Sequence, residues 1–295
     1  MFERLKKAIA PSFLWATSML LRGNLLGPVV KDALWTFAQK YSAYFDITTE
    51  ALLVNGMKVA VSSQPRVEQE IFLFGEWEPL FTRYIRDLDA KDLIFLDIGA
   101  NIGYFSLLAS SIFGEVHSIE ASPSTGKRLQ KNVLANGIES IFVYEVAVGD
   151  DEGHIDFYQD SRQSGAASTI KSGHSVFEAR VPVARLETIL KAVDWKRVRL
   201  IKVDVEGSEA PVLDSIFRLQ DSLYEGVEIF VEFDPDHSDT WPSISVFLEN
   251  GFTAHILQGP YDRQDYIEPG RRTQLKAIDR KPLMFCDLLL RRNVH

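Results

Sequence analysis

Gly99, Asn101 and Gly103 form a glycine-containing turn between an apolar segment and a predicted helix. Glycine allows the chain to turn sharply and lets a ligand approach the backbone closely. The N-terminus of the following helix offers N–H groups that have no partner within the helix. Asp97 ends the apolar segment just before the turn, where its carboxylate would reach an amino group of a ligand or a bridging water. These residues predict a small-ligand site at the end of a strand.

Glu120 ends the next predicted strand, and in dinucleotide-binding folds an acid at this place accepts hydrogen bonds from the hydroxyls of a ribose. Asp97 and Glu120 at matching positions in one β-α-β unit favour a nucleoside site over two unrelated surface carboxylates. The Gly99-x-Asn101-x-Gly103 spacing lacks the third glycine of loops that accommodate a pyrophosphate. An NAD-linked oxidoreductase is therefore the second interpretation of this site.

Acidic residues and one histidine lie at the ends of the fourth and fifth predicted strands of the core. They are Asp204, Glu206 and Glu209 for the fourth strand, and Glu232, Asp234, Asp236 and His237 for the fifth. Ligands of open α/β sheets bind at these carboxyl ends of strands. We expect Asp204 to act on the substrate, with Glu206 and His237 next, either as a general base or by orienting an acceptor through hydrogen bonds. Alternatively, Glu206 and Glu209 are helix N-terminal acids that complement the helix dipole.

A divalent metal would find oxygen ligands in Asp204, Glu232 and Asp234. Nothing in the spacing of these acids demands a metal, so we predict a site without one. The chain has one cysteine, Cys286, and this count excludes an intrachain disulfide and a cysteine-based metal site. Cys286 lies in an apolar run. The lack of disulfides is compatible with the reducing cytoplasm, which we predict as the location.

Hydrophobic patterning predicts strands that alternate with helices from residue 93 onward. The predicted strands are 93–98, 116–120, 141–146, 199–204, 227–233, 252–257 and 283–291, with a hairpin around 154–158. The predicted helices of this part are 104–113, 122–136, 185–193, 208–217 and 241–250. This order predicts an α/β fold with a doubly wound, seven-stranded, mostly parallel sheet and an antiparallel edge.

Residues 1–75 form a predicted N-terminal accessory region, and residues 76–295 the ligand-binding domain. Helices are expected at 3–21 and 29–45 and, after the accessory region, at 78–88. Asn55-Gly56 lies between two apolar runs and predicts a β-hairpin, because both residues tolerate positive φ.

The chain has 295 residues and a net charge of −9, which argues against a protein that grips a nucleic-acid backbone. Its N-terminus combines basic residues with an apolar stretch, but no run reaches the roughly 18 apolar residues of a membrane span. Packing of this segment on the domain or on a partner, including a homodimer, is the first interpretation. Membrane contact through residues 1–25 is the second.

Three motifs, taken together and in this order, resemble the FkbM family of S-adenosylmethionine (SAM)-dependent methyltransferases. They are Asp97-Ile98-Gly99-Ala100-Asn101-Ile102-Gly103, Ala147-Val148-Gly149-Asp150 and Ile201-Lys202-Val203-Asp204-Val205-Glu206-Gly207-Ser208-Glu209. The resemblance covers roughly residues 70–260, including Trp77-Glu78-Pro79, and departs from the family at Leu186-Glu187, where Leu-Asp is common. It implies transfer of a methyl group from SAM to an oxygen of a sugar, glycan or natural product.

The resemblance also assigns residues to the cofactor. Asp97, Gly99, Asn101 and Gly103 would hold its methionine part, Glu120 its ribose, and Ala147 with Val148 its adenine, while Glu78 joins the cofactor-binding set. The first ~70 residues and the loop 259–282 match no family pattern. A non-catalytic scaffold or membrane-associated assembly module is therefore the alternative to an enzyme that acts on a small-molecule or saccharide acceptor.

Overall fold

The computed structural model describes residues 2–42, 47–63, 65–160, 167–168, 175–236, 239–258, 262–268 and 274–293. In chain order the helices of this part are α1 (Phe2–Arg22), α2 (Pro28–Ser42), α3 (Arg66–Phe74), α4 (Pro79–Arg86), α5 (Tyr104–Ala109), α6 (Pro123–Ala135), α7 (Leu186–Ile189), α8 (Glu209–Arg218), α9 (Thr240–Glu249) and α10 (Arg263–Ile267). The strands are β1 (Thr48–Leu52), β2 (Lys58–Ser62), β3 (Ala90–Ile98), β4 (Phe113–Ile119), β5 (Ile141–Tyr144), β6 (Ala147–Val148), β7 (Gly153–Asp160), β8 (Ala167–Ser168), β9 (Ser175–Ala184), β10 (Val198–Val203), β11 (Glu228–Phe233), β12 (Phe252–Gln258), β13 (Lys276–Ile278) and β14 (Cys286–Arg292).

The first of two compact units comprises Met1–Arg83 and Tyr261–Arg272. In it β1 and β2 form the antiparallel hairpin that Asn55-Gly56 predicts. Its core packs α1, α2, α3 and α10 around Trp35, whose ring lies 4.7 Å from that of Phe74. The unit extends past the predicted boundary at residue 75 and includes a segment of the loop 259–282.

The second unit comprises Tyr84–Pro260 and Thr273–His295 and contains an eight-stranded sheet. The strand order is β13-β12-β14-β11-β10-β3-β4-β5. Pairs among β11, β10, β3, β4 and β5 are parallel, whereas β14, β12 and β13 add an antiparallel edge. The predicted doubly wound, mostly parallel class is confirmed, and β13 adds one strand to the predicted seven.

The central strands β3, β10 and β11 are apolar along most of their length because both of their faces are buried. The hydrophobic core of the unit forms around them, with Ile201 and Ile229 fully buried. A crossover helix between consecutive parallel strands brings every carboxyl end to the same edge of the sheet. The turns after β3, β4 and β10 therefore meet at one edge.

A second sheet of four strands, in the order β6-β9-β7-β8, follows β5 in the chain. β7 and β9 form its long antiparallel pair, and β6 pairs in parallel with the end of β9 at Val183 and Ala184. The predicted hairpin around 154–158 corresponds to β7, and its partner strand β9 was not predicted.

Five further elements were not predicted: α3, α10, β13 and the two-residue strands β6 and β8. α3 ends at Gly75, which adopts a left-handed φ of 76°. Among the described residues, no helix is long and apolar enough to span a membrane.

Candidate active site

An open cleft of about 720 Å³ lies at the carboxyl ends of β3, β4 and β10 in the second unit. Its walls combine glycine-turn residues, acids and apolar side chains. They are Ile98, Gly99, Asn101, Ile119, Glu120, Ala121, Thr125, Val146, Ala147, Val148, Phe157, Asp204, Val205, Glu206, Ser208 and Val212.

Gly99 joins the turn after β3 to the turn after β10. Its φ is +83°, and a Cβ atom placed on it would lie 1.7 Å from the backbone oxygen of Asp204. Only glycine satisfies both conditions, because it tolerates positive φ and has no Cβ. The Asp204 N–H also donates to the Ile98 carbonyl oxygen at 3.0 Å. The two loops therefore lie against each other at the base of the cleft.

Asn101 and Gly103 complete the glycine turn. Asn101 has a φ of +52°, and its side-chain oxygen accepts the Ile102 N–H at 2.8 Å. Gly103 precedes α5 with a φ of +93°, where a Cβ atom would lie 2.4 Å from a methyl carbon of Leu129. Glycine at 103 is thus required by backbone conformation and by packing against α6, whereas Asn101 lines the cleft itself.

Glu120 lies at the end of β4 and is almost completely buried. One carboxylate oxygen accepts the Asn101 N–H at 2.8 Å, and the other accepts the Ser122 N–H at 2.8 Å. Burial raises the pKa of Glu120 to about 7, although these two hydrogen bonds act in the opposite direction. Because a carboxylate oxygen has two lone pairs, each oxygen can accept one further hydrogen bond from a ligand.

Asp97 is fully buried and is not among the residues that line the cleft. The Ser106 hydroxyl donates to its Oδ2 at 2.6 Å, and the Ser118 hydroxyl donates to that of Ser106. Its other oxygen has no hydrogen-bond partner among the described residues. Burial raises the pKa of Asp97, an effect that the nearby Lys202 ammonium opposes. Its predicted contact with the cofactor stays a prediction.

Ala147 and Val148 form the short strand β6 and line the cleft beside Val146. Phe157, on β7, is buried and lines the cleft as well. This apolar part of the wall suits a flat aromatic ring such as a nucleobase. The prediction named Ala147 and Val148 but missed Phe157. In the sequence, the apolar residues Ile155 and Phe157 alternate with polar neighbours, a pattern that indicates a strand with one buried face.

Asp204 lines the cleft just after β10, and its Oδ2 lies 2.6 Å from the Nζ atom of Lys202. The Lys202 side chain is 2% exposed, and its Nζ lies 5.0 Å from the centre of the Phe105 ring. A buried ammonium requires such partners, because burial of an unpaired charge is costly. Lys202 had no predicted role. Its signal was a cation between the apolar residues Ile201 and Val203 of β10.

Glu206 also lines the cleft and has a positive φ of 54°. The residue as a whole is exposed at the cleft mouth. Nevertheless, desolvation by the surrounding protein and the charges of Asp204 and Glu209 raise the pKa of its carboxyl to about 7. Glu206, Asn101 and Glu78 are the described non-glycine residues with positive φ, a strained conformation that often marks functional sites.

Glu209 begins α8, and its Oε1 accepts the Gly207 N–H at 3.0 Å and the Val205 N–H at 3.3 Å. It therefore holds the turn that carries Glu206. This geometry matches the helix N-terminal role predicted for Glu209, while the position of Glu206 on the cleft wall favours contact with a ligand.

Several residues that the sequence predicted for the site are not among those that line the cleft. Glu232 and Asp234 are not among the cleft-lining residues, and His237 lies outside the described residues. Among the described residues, no group of three His, Cys, Asp or Glu side chains is placed to hold a metal, so Asp204, Glu232 and Asp234 do not form the conditional metal set. Glu78 lies in the first unit, where its N–H donates to the Tyr266 hydroxyl at 3.2 Å.

Three comparisons relate the chain to known proteins. "Methyltransferase 1" of Beauveria bassiana (strain ARSEF 2860) is 24% identical over 201 residues, which cover 60% of this chain and 77% of that protein. The precorrin-6y C5,15-methyltransferase of Geobacter metallireducens GS-15 superposes with a TM-score of 0.42 at 11% identity, covering 80% of this chain and 95% of that one. SMU.1697c of Streptococcus mutans, in complex with SAH, superposes with a TM-score of 0.43 at 12% identity, covering 74% and 99%.

The fold and the cleft define a Rossmann-like α/β protein with a nucleoside-type site at its strand ends. The model of the Methyltransferase FkbM domain matches residues 97–258, which is more than half of the chain and includes all the cleft-lining residues. The chain belongs to the FkbM methyltransferase family. The resemblance stated from its three motifs is confirmed.

Proposed function

We propose that this protein transfers a methyl group from SAM to a hydroxyl oxygen of a sugar, glycan or natural product. The observation that carries the proposal is the composition of the cleft. The cleft-lining residues fall into two groups: the donor side, as we call it, consists of Gly99, Asn101, Glu120, Val148 and Phe157, and the acceptor side consists of Asp204 and Glu206.

The donor side fits the nucleoside part of SAM. Glu120 keeps a free lone pair on each carboxylate oxygen for the ribose hydroxyls. Val148 and Phe157 offer apolar surface for the adenine, and Gly99 and Asn101 expose backbone close to the ligand. When bound, SAM would supply a methyl group already activated by its positive sulfonium.

The acceptor side fits the other substrate. A hydroxyl group has a high pKa and requires a base to become nucleophilic. Glu206, whose pKa is raised to about 7, is suited to take that proton near neutral pH. Asp204 would orient the acceptor by accepting a hydrogen bond, while Lys202 holds its carboxylate in place.

The accumulation of acids favours an alcohol acceptor over a carboxylic acid. Asp204 and Glu209 lie close enough to Glu206 to raise its pKa through their charges. An ionised acceptor carboxylate would meet the same repulsion, whereas a neutral hydroxyl would not. We also propose the cytoplasm as the location, for which the reduced, buried Cys286 is the supporting feature.

The direct test combines titration calorimetry with S-adenosylhomocysteine and methyl transfer from radiolabelled SAM to panels of sugars, glycans and polyketide alcohols. We expect micromolar or tighter binding and transfer to at least one hydroxyl compound. No binding at high micromolar ligand would contradict the proposal and favour a non-catalytic scaffold. Transfer only to nitrogen or carbon would support methyltransferase activity but contradict the proposal that the acceptor is a hydroxyl group.

A further inference from the structure

Helix α1 of the first unit places apolar side chains both in the core and on the surface. Thr17 and Ser18 are buried, whereas Trp15 is 62% exposed and Met19 57% exposed. A surface helix of a water-soluble unit normally turns its apolar side inward and its polar side outward. Here Leu14 and Leu21 are buried as expected, but Trp15, Met19 and Leu20 face outward as well.

Polar contacts fix the rotation of α1. The Ser18 hydroxyl lies 2.9 Å from the Leu73 carbonyl oxygen, and the Arg22 guanidinium donates to the carbonyl oxygens of Leu73 and Phe72. These carbonyls belong to the last turn of α3, where the helix leaves them without partners. Rotation of α1 to bury Trp15 would break these bonds, so the outward position of Trp15 is part of the fold.

The same exposure continues through the loop and into α2. Leu25 is 87% exposed and Val29 84% exposed, and Phe37 is exposed on the next turns of α2, whereas Lys31 is buried. The two helices pack together, with the Phe13 and Phe37 rings 5.9 Å apart. We call the exposed apolar residues of the helical hairpin α1–α2 the hairpin face. They are Trp15, Met19, Leu20, Leu25, Val29, Val30 and Phe37.

Charge distinguishes this segment from the rest of the protein. Residues 4–31 contain five cations and no acid, in a chain of net charge −9. Since Lys31 is buried and Arg22 donates to carbonyl oxygens of α3, the cations left for a partner are Arg4, Lys6 and Lys7, near the start of α1. A second copy of the chain would bring two such basic segments together. An anionic lipid surface instead attracts cations, and Trp is one of the side chains that favour the lipid–water interface.

We propose that the hairpin face docks the protein on an anionic lipid bilayer, with α1 and α2 lying in the plane of the interface. The apolar side chains would enter the boundary between headgroups and acyl chains, as interfacial amphipathic helices do, without crossing the membrane. The docking is independent of the proposed methyl transfer, so either can fail without the other.

The experiment is co-sedimentation of the full chain with vesicles of pure phosphatidylcholine or of an equimolar mixture of phosphatidylcholine and phosphatidylglycerol. The test variant is the triple substitution Trp15→Glu, Met19→Glu and Val29→Glu. The control variant, Leu134→Glu, Leu283→Glu and Met284→Glu, adds the same charge at positions of the second unit that are 78%, 94% and 58% exposed. Thermal unfolding of both variants checks that they fold.

We expect the wild type and the control to bind the mixed vesicles, with less binding to phosphatidylcholine alone and at high salt. The hairpin variant should lose about a hundredfold or more in partition coefficient, since its side chains no longer enter the apolar layer. Wild-type protein that stays in the supernatant, or a control that loses as much binding as the hairpin variant, would overturn the proposal. A wild-type dimer that the hairpin substitutions convert to a monomer would identify a second copy as the occupant and overturn it as well.

Discussion

The donor and acceptor sides of the cleft hold their carboxylates in different ways. On the donor side, Glu120 is buried and both of its oxygens accept backbone N–H groups. On the acceptor side, Glu206 is exposed at the mouth and has two other acids as electrostatic neighbours. Glu120 is thus part of the rigid frame of the cleft, whereas Glu206 remains accessible to a second substrate and to its proton.

This contrast predicts that variants of the two sides differ in their effects on cofactor affinity and on reaction rate. If the donor side binds the cofactor, its variants should change affinity, and if the acceptor side serves the reacting hydroxyl, its variants should change the rate. Gly99 joins the two sides, so its substitution should affect both.

The largest effect is expected for Gly99→Ala. The new Cβ atom would meet the Asp204 backbone at 1.7 Å while the residue holds a φ of +83°. Overpacking and left-handed strain together should lower the free energy of unfolding by about 3–5 kcal/mol and abolish S-adenosylhomocysteine binding. Gly251→Ala is the control, with a φ of +86° and open space around the Cβ position, and should lose only about 1–2 kcal/mol. Denaturant unfolding measures both, and equal losses would contradict the contact between the loops.

Asp204→Asn should lower kcat by about 10²–10⁴-fold, because the variant loses the charged acceptor that orients the hydroxyl. Affinity for S-adenosylhomocysteine should change little, since Asp204 lies on the acceptor side. Asp214→Asn, which removes the same charge from an exposed position of α8, should leave kcat unchanged. A large loss of affinity with an unchanged kcat would move Asp204 to the donor side.

The pH dependence tests Glu206 as the base. A general base acts in its deprotonated form, so kcat/KM should fall as the pH decreases through the raised pKa of about 7, by roughly tenfold per pH unit below it. Glu206→Gln should remove this dependence. Glu120→Gln is the matched control, because burial raises its pKa to about 7 as well, yet it should leave the profile of kcat in place. A profile that flattens in Glu120→Gln instead would assign the titration to the donor side.

The smallest effect is expected for the affinity of Glu120→Gln. Loss of the charged acceptor for ribose hydroxyls should weaken S-adenosylhomocysteine binding by about 1–3 kcal/mol with kcat at saturation retained. Calorimetric titration measures the change. Unchanged affinity in a folded variant would show that Glu120 only supports the Asn101 turn.

The order of elements in the second unit was predictable, because each parallel strand is a short apolar run followed by an amphipathic helix. The glycine turn and Glu120 were predictable for the same local reason, since each follows directly from a strand end. β13 and α10 were not, because they are short and lie in a polar loop where local pattern is weak.

The acceptor side shows where prediction from sequence stopped. Asp204 was the first predicted acceptor-side residue, with Glu206 next, while Glu232 and Asp234 were named only as conditional metal ligands. The structure places Asp204 and Glu206 on the cleft wall, and Glu232 and Asp234 are not among its residues. The partner of Asp204, Lys202, is two residues away in sequence, but its burial depends on packing against Phe105 of α5. Phe157 reaches the cleft through a separate sheet whose pairing is not local.

By itself, the sequence determined the FkbM methyltransferase family, the parallel core and the glycine turn, because these depend on residue types at fixed short spacings. Tertiary structure alone decided that Gly99 lies against Asp204, that Asp97 is buried away from the cleft wall, and that Trp15 and Met19 of α1 face outward. Each of these outcomes depends on contacts between segments distant in the chain. Such contacts are selected by packing and hydrogen bonding, which local periodicity does not encode.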